Sequence, residues 1–199
     1  DIRLPVGLED VQLAAAMLPQ HRGVAGQCRR VVGIEPKAFV GTYVGSYFEL
    51  PGFALMPDGR SVVIATEEDE LVWWNLRRRT PTRRLAIGTG QHALALSPDG
   101  GTIAVGVEQG IQLVDTRSGA VRTAGALGGA PSWLLFSPDG GTVVSTSLDG
   151  TVGLWDAESA TRRETLRGHS RAVQQPVFSP DGGTLYTVGH DGTAIAWDI

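Results

Sequence analysis

The chain has 199 residues, 42 % of them hydrophobic, and a formal net charge of -4. That length allows a substantial buried core of one or two ordinary domains, and no apolar run approaches the ~20 residues of a membrane span. Cys28 is the single cysteine, which excludes an internal disulfide and reads as a buried thiol. No signal peptide is visible, and cytoplasmic residence is the expectation, with the start at Asp1 in place of a methionine leaving a removed signal as the alternative.

Residues 1–52 form a divergent N-terminal segment. Ile2-Arg3-Leu4-Pro5-Val6 has strand composition, with Pro5 confining it to a sheet edge. The stretch after it admits two readings. The apolar run Val11 to Met17, then Leu18-Pro19-Gln20-His21 and Arg30-Val31-Val32-Gly33-Ile34, fits a degenerate copy of the unit repeated downstream; an Ala-rich helix over Leu8 to Leu18 is the rival.

From Phe53 onward a turn recurs at nearly constant spacing. It is Met56-Pro57-Asp58-Gly59 first, then Ser-Pro-Asp-Gly around Pro98, Pro138 and Pro180, in steps of 41, 40 and 42 residues. Such a period marks stacked supersecondary units, none able to bury its apolar face alone. The units divide at about 53–90, 91–128, 129–170 and 171–199. Unit one continues past its turn with Glu67-Glu68-Asp69-Glu70 and Trp74-Asn75; unit two has Glu108-Gln109-Gly110 and Val114-Asp115. In unit three, Val143 to Ser147 and Thr151 to Asp156 flank Asp149-Gly150. Unit four repeats this with Thr184 to Gly189, His190-Asp191-Gly192 and Thr193 to Asp198. An Asp-Gly pair between β-formers is a strong hairpin signal, because Gly accepts the positive φ of such turns. Apolar stretches before the turns (Ser132 to Phe136, Val173 to Phe178) and segments such as Arg162 to Leu166 bring each unit to four short antiparallel strands.

Gly168-His169, then Phe178-Ser179-Pro180-Asp181-Gly182, Asp191-Gly192-Thr193 and Trp197-Asp198, together resemble a complete WD40 repeat. The resemblance covers residues 53–199 and implies an all-β propeller of WD40-type blades, four of them clear, with a fifth degenerate one only on the repeat reading of the N-terminal segment, either a small closed ring or part of a larger one. It also implies a hydrogen-bonded structural tetrad of His169, Thr187, Asp191 and Trp197. Unit three keeps a partial tetrad, Ser145, Asp149 and Trp155, with Gly128-Gly129 near where the Gly-His pair belongs. Units one and two lack it, leaving their stability to packing. Propellers of this family commonly complete the last blade with an N-terminal strand, a role open to Ile2 to Val6. The family's usual seven blades, the start at Asp1 and the stop at Ile199 without a fourth strand favour a piece of a longer protein. Unclosed blade ends would expose apolar faces and strand edges, inviting self-association.

Catalytic motifs are absent. Gly88-Thr89-Gly90 is too short for a phosphate loop and has no lysine. His21, His92, His169 and His190 show no metal-ligand spacing, and no Gly-x-Ser-x-Gly elbow occurs. His169 with Asp191 reads as structure and not as a catalytic dyad. Neither a cofactor nor a metal is expected.

The sixteen arginines against one lysine, Lys37, read as coding bias. Arg77-Arg78-Arg79, Arg83-Arg84 and Arg162-Arg163 fall beside third-to-fourth-strand loops, at the same end as Asp58, Asp99, Asp139 and Asp181, and mutual pairing is the plain reading. At the opposite end, hairpins and inter-blade connections gather Glu67, Glu68, Asp69, Glu70 and Glu108, with Trp133, Arg171 and His190. That rim is the candidate partner-binding surface, its acidic side drawing basic partners; for Trp133, packing between blades is the simpler reading.

Three functions fit such a chain. The first is a non-catalytic scaffold or sensing module binding a protein or peptide within a larger regulatory assembly, since rigid sheets hold loops at little entropic cost on binding. The second is an enzyme or small-ligand binder using the propeller channel, which needs converging titratable groups. Nucleic-acid binding comes last and needs Arg30, Arg78, Arg84 and Arg163 in one stripe.

Overall fold

The computed structural model describes residues 52–90, 93–125, 131–174 and 176–199. The expected N-terminal strand, fifth unit and helix, with Cys28, Arg30 and Gly128-Gly129, lie outside the described residues. Residues 48–199 form one compact unit.

That unit is four antiparallel sheets, each ordered as its strands run in the chain. Sheet one holds β1 (Phe53–Leu55), β2 (Ser61–Ala65), β3 (Glu70–Asn75) and β4 (Thr80–Ala86). Sheet two holds β5 (Leu94–Leu96), β6 (Thr102–Val107), β7 (Gly110–Asp115) and β8 (Val121–Ala124). Sheet three holds β9 (Trp133–Phe136), β10 (Thr142–Thr146), β11 (Thr151–Asp156) and β12 (Arg162–Arg167). Sheet four has three strands, β13 (Val177–Phe178), β14 (Thr184–Val188) and β15 (Ala194–Asp198).

The proline turns join first strand to second. In each, the glycine N–H donates to the carbonyl three residues back, as Gly100 does to Ser97 (2.8 Å). Gly100, Gly140 and Gly182 hold φ of 72°, 75° and 76°, a left-handed conformation that other residues adopt at a cost. The serine and aspartate lock one another. Ser97 Oγ donates to Asp99 (2.6 Å) and accepts the Thr102 N–H (2.8 Å), and Ser137 and Ser179 repeat the pattern with Asp139 and Asp181. Met56 cannot donate, so Asp58 reaches forward and accepts from Ser61 Oγ (3.0 Å).

The turns also stack. A methyl built on Gly100 would lie 2.4 Å from Pro57 Cγ, while methyls on Gly140 and Gly182 would each lie 3.5 Å from Cδ of Pro98 and Pro138. Each of the last three turns therefore rests its glycine on the proline of the one before.

Period-2 alternation sends successive strand residues to opposite sheet faces, and both faces of sheets two and three are covered. Val63, Leu71 and Trp73 of sheet one pack on Ile103, Val105 and Val114 of sheet two. Ile111 and Leu113 then meet Leu134, Phe136 and Trp155 of sheet three. Val152, Leu154 and Leu166 in turn meet Val173, Phe178 and Leu185 of sheet four. Among the described residues no such cluster joins sheet four to sheet one. Phe53 (45 %) and Leu55 (59 %) stand exposed on sheet one, and Val177, Tyr186 and Val188 on sheet four.

Candidate functional site

His169 lies in the connection after β12 and reaches into sheet four. Its Nε2 is 2.8 Å from Thr187 Oγ1, its Nδ1 3.1 Å from Asp191 Oδ2, and the Trp197 indole N–H donates to Thr187 Oγ1 (2.8 Å). A neutral imidazole is one state that satisfies all of them. With Thr187 Oγ1 already accepting from Trp197, its hydroxyl donates to Nε2, and the ring proton on Nδ1 goes to Asp191. The imidazole side chain is 0 % exposed. Both ring nitrogens are engaged and closed to solvent, which leaves no lone pair for a substrate.

Asp191 has further partners that the sequence reading missed. Thr193 Oγ1 (2.7 Å), the Thr193 N–H (3.0 Å) and the Ser170 N–H (2.8 Å) all donate to its carboxylate. The signal was present in Asp-Gly-Thr, which recurs as Asp149-Gly150-Thr151 with Thr151 Oγ1 donating to Asp149 (2.6 Å). In sheet three, Trp155 Nε1–H donates to Ser145 Oγ (2.8 Å), while Asp149 is held by its own hairpin. Sheet two fills the corresponding positions with buried Val105 and Val114.

Residues 128–156 and 160–198 match the family model described as "WD domain, G-beta repeat". These segments are WD40 repeats. The second match begins at β12 and ends at β15, so a WD40 repeat counted along the chain straddles two sheets. His169 sits at that seam and fastens the connection to the sheet it enters. WD40 domains commonly mediate protein interactions, and their repeats are usually non-catalytic.

The turn carboxylates carry a pH signature. Asp191 is held well below the usual carboxylate range, first by the Thr193 hydroxyl, then by the Thr193 and Ser170 N–H groups and His169. Asp99, Asp139 and Asp181 are lowered from 3.8, chiefly by their serine hydroxyls, and Asp58 by the Arg60 N–H. A folded pKa below the unfolded one adds stability that is complete above the unfolded value and is lost as pH falls through the folded value. Thermal melts followed by circular dichroism should therefore give a nearly constant Tm down to about pH 5, then a progressive fall below about pH 4.

Among the described residues no arginine forms the expected ion pair with Asp58, Asp99, Asp139 or Asp181, whose turns already supply hydroxyl and N–H donors; Arg163 acts on Asp139 only at longer range. Arg163 instead pairs with Asp156, at the end of β11. Arg83 lies 4.9 Å above the Trp73 ring and donates to the Thr116 carbonyl (2.9 Å) of sheet two, and Arg122 donates to the Glu158 carbonyl (2.6 Å). Arg84 reaches toward the other end and pairs with Glu70 (2.8 Å).

That other end is the hairpin rim. Glu67 and Glu68 are exposed at the β2–β3 hairpin and Glu108 at the β6–β7 hairpin, where its carboxylate accepts from Thr89 Oγ1 (3.3 Å). Asp69 is half-buried, and Glu70 is engaged by Arg84. Arg171 is exposed in the connection entering sheet four, and exposed His190 is hydrogen-bonded to Gln174. Trp133 corrects the packing expectation. It opens β9 opposite Thr146, at the hairpin end of the sheet, and is 42 % exposed. Leu148, which the sequence reading passed over, is 46 % exposed at the tip of the β10–β11 hairpin. It occupies the place held by Glu67, Glu108 and His190 in the other units, and an apolar residue at a hairpin tip was the available clue.

Among the described residues no helix is long and apolar enough to cross a membrane, and no group of three or more His, Cys, Asp or Glu side chains could hold a metal ion.

Proposed function

We propose that the hairpin rim of these sheets is a non-catalytic platform that binds a protein or peptide partner. The observation that carries this is Trp133, a large aromatic side chain left 42 % exposed on a rigid strand, with exposed Leu148 on the neighbouring hairpin of the same sheet. Tryptophan anchors interfaces far more often than its abundance would give. The strands beneath fix both side chains, so little conformational entropy is lost when a partner docks. Exposed carboxylates on sheets one and two give the platform a negative side, which suits a basic partner.

Selection of a displayed random-peptide library on the full chain tests this. Enriched peptides should bind the native chain and lose at least about tenfold in affinity on Trp133→Ala, roughly the loss of one interface anchor. Enriched peptides that bind Trp133→Ala and Leu148→Ala equally well would place the binding surface elsewhere and overturn the reading.

A further inference from the structure

The rim is not uniform. Sheet three contributes Trp133 and Leu148, both apolar and exposed. Sheets one and two contribute exposed Glu67, Glu68 and Glu108, and the sheet-four side contributes exposed Arg171. Sheet three's own charges at this end, exposed Asp149 and Arg167, act on one another, so the net charge flanking the apolar pair is negative toward sheets one and two and positive at Arg171.

The order of these groups is set by the fold. β9 packs beside β5, and β5 beside β1, so the path from Trp133 toward negative charge crosses sheet two and then sheet one. Packed sheets stand about 10 Å apart, and an extended peptide rises about 3.3 Å per residue. Glu108 is therefore about three residues of extended chain from the apolar pair, and Glu67 with Glu68 about six.

We propose that the rim takes an extended peptide with one large apolar residue seated at Trp133 and Leu148 and basic residues about three and six positions away along the chain. This rests on the rim being the interaction surface and adds the class and spacing of what binds there. The apolar residue supplies contact area. The basic residues face Glu108, then Glu67 and Glu68, which are solvent-facing and so act more on specificity and association rate than on tightness. Arg171, across the apolar pair, repels a basic segment running the other way and fixes the direction of the chain. Glu70 has no share in this, because Arg84 already neutralises it.

The probe is a fluorescein-labelled peptide with phenylalanine followed by arginines three and six positions later and Gly-Ser spacers between, read by fluorescence anisotropy on the full chain. Three comparison peptides replace the phenylalanine by serine, replace both arginines by serine, or move both arginines next to the phenylalanine. The full peptide should bind at least about tenfold tighter than any of the three, with the advantage shrinking as salt screens the arginines. Glu67→Arg with Glu68→Arg and Glu108→Arg should abolish the preference, and a peptide with glutamates in place of arginines should restore binding to that variant. Such a swap reports charge contact and not loss of folding.

Equal binding by the full and the arginine-free peptides, lost on Trp133→Ala, would overturn the basic-spacing inference while leaving the rim as the platform. Binding unchanged by Trp133→Ala and by charge reversal would overturn both. No measurable binding of the full peptide would overturn the inference alone, since the library selection tests the platform independently.

Discussion

Thr187→Val should destabilise the fold by about 3 kcal/mol, read as a lower urea midpoint at unchanged slope. The change conserves shape and removes one oxygen. That oxygen accepts from Trp197 Nε1–H and faces His169 Nε2, each at 2.8 Å, so its loss strands two polar groups, one on a side chain closed to solvent. Leaving a buried polar group unpaired costs about 1–3 kcal/mol, more than the net gain from making the bond. Ser145→Ala in sheet three is the matched comparison. There only Trp155 Nε1–H loses its partner, and the expected cost is about half as large. Equal costs at the two sites would mean that the imidazole and Asp191 add nothing to the network of sheet four.

Gly110→Ala is the second large effect, expected to cost at least about 3 kcal/mol through two independent causes. Gly110 has φ 132°, a conformation side chains resist, and an added methyl would lie 2.4 Å from the Ala124 carbonyl oxygen and 2.7 Å from the Gly125 carbonyl carbon. Those atoms belong to the backbone at the end of β8, and moving them pulls the fourth strand of sheet two off β7. Gly192→Ala separates the causes. Its φ is 80° but nothing lies within 4 Å of the added methyl, so only the backbone cost of about 1 kcal/mol should appear. Thermal melts of the two variants should differ accordingly, and similar losses would show that contact at β8 is unimportant.

Strand order was legible because turn and hairpin signals are local. Ser97-Pro98-Asp99-Gly100 carries its own hydrogen bonds, and Asp191-Gly192 needs only its flanking strands. Tetrad geometry was legible for a related reason, since it depends on residues at fixed offsets from those turns. The fate of individual surface side chains was not. Whether Trp133 packs or projects depends on the sheets beside it, which no residue near Trp133 encodes. The partners of the arginines were equally hidden. Arg83 finds the Trp73 ring and the Thr116 carbonyl of another sheet, contacts that exist only after packing.

The stacked turns bear on how these repeats can diverge. Gly100, Gly140 and Gly182 each face the preceding turn's proline, so alignment passes between neighbours and never needs agreement among all four. A repeat that keeps its proline and glycine can change elsewhere without misaligning the rest. Methionine in place of the first turn's serine, a two-residue Glu108-Gln109 hairpin and valines at the polar positions of sheet two therefore coexist with a complete tetrad two sheets away. Genetic drift in one repeat is contained by the same contact that holds it in line.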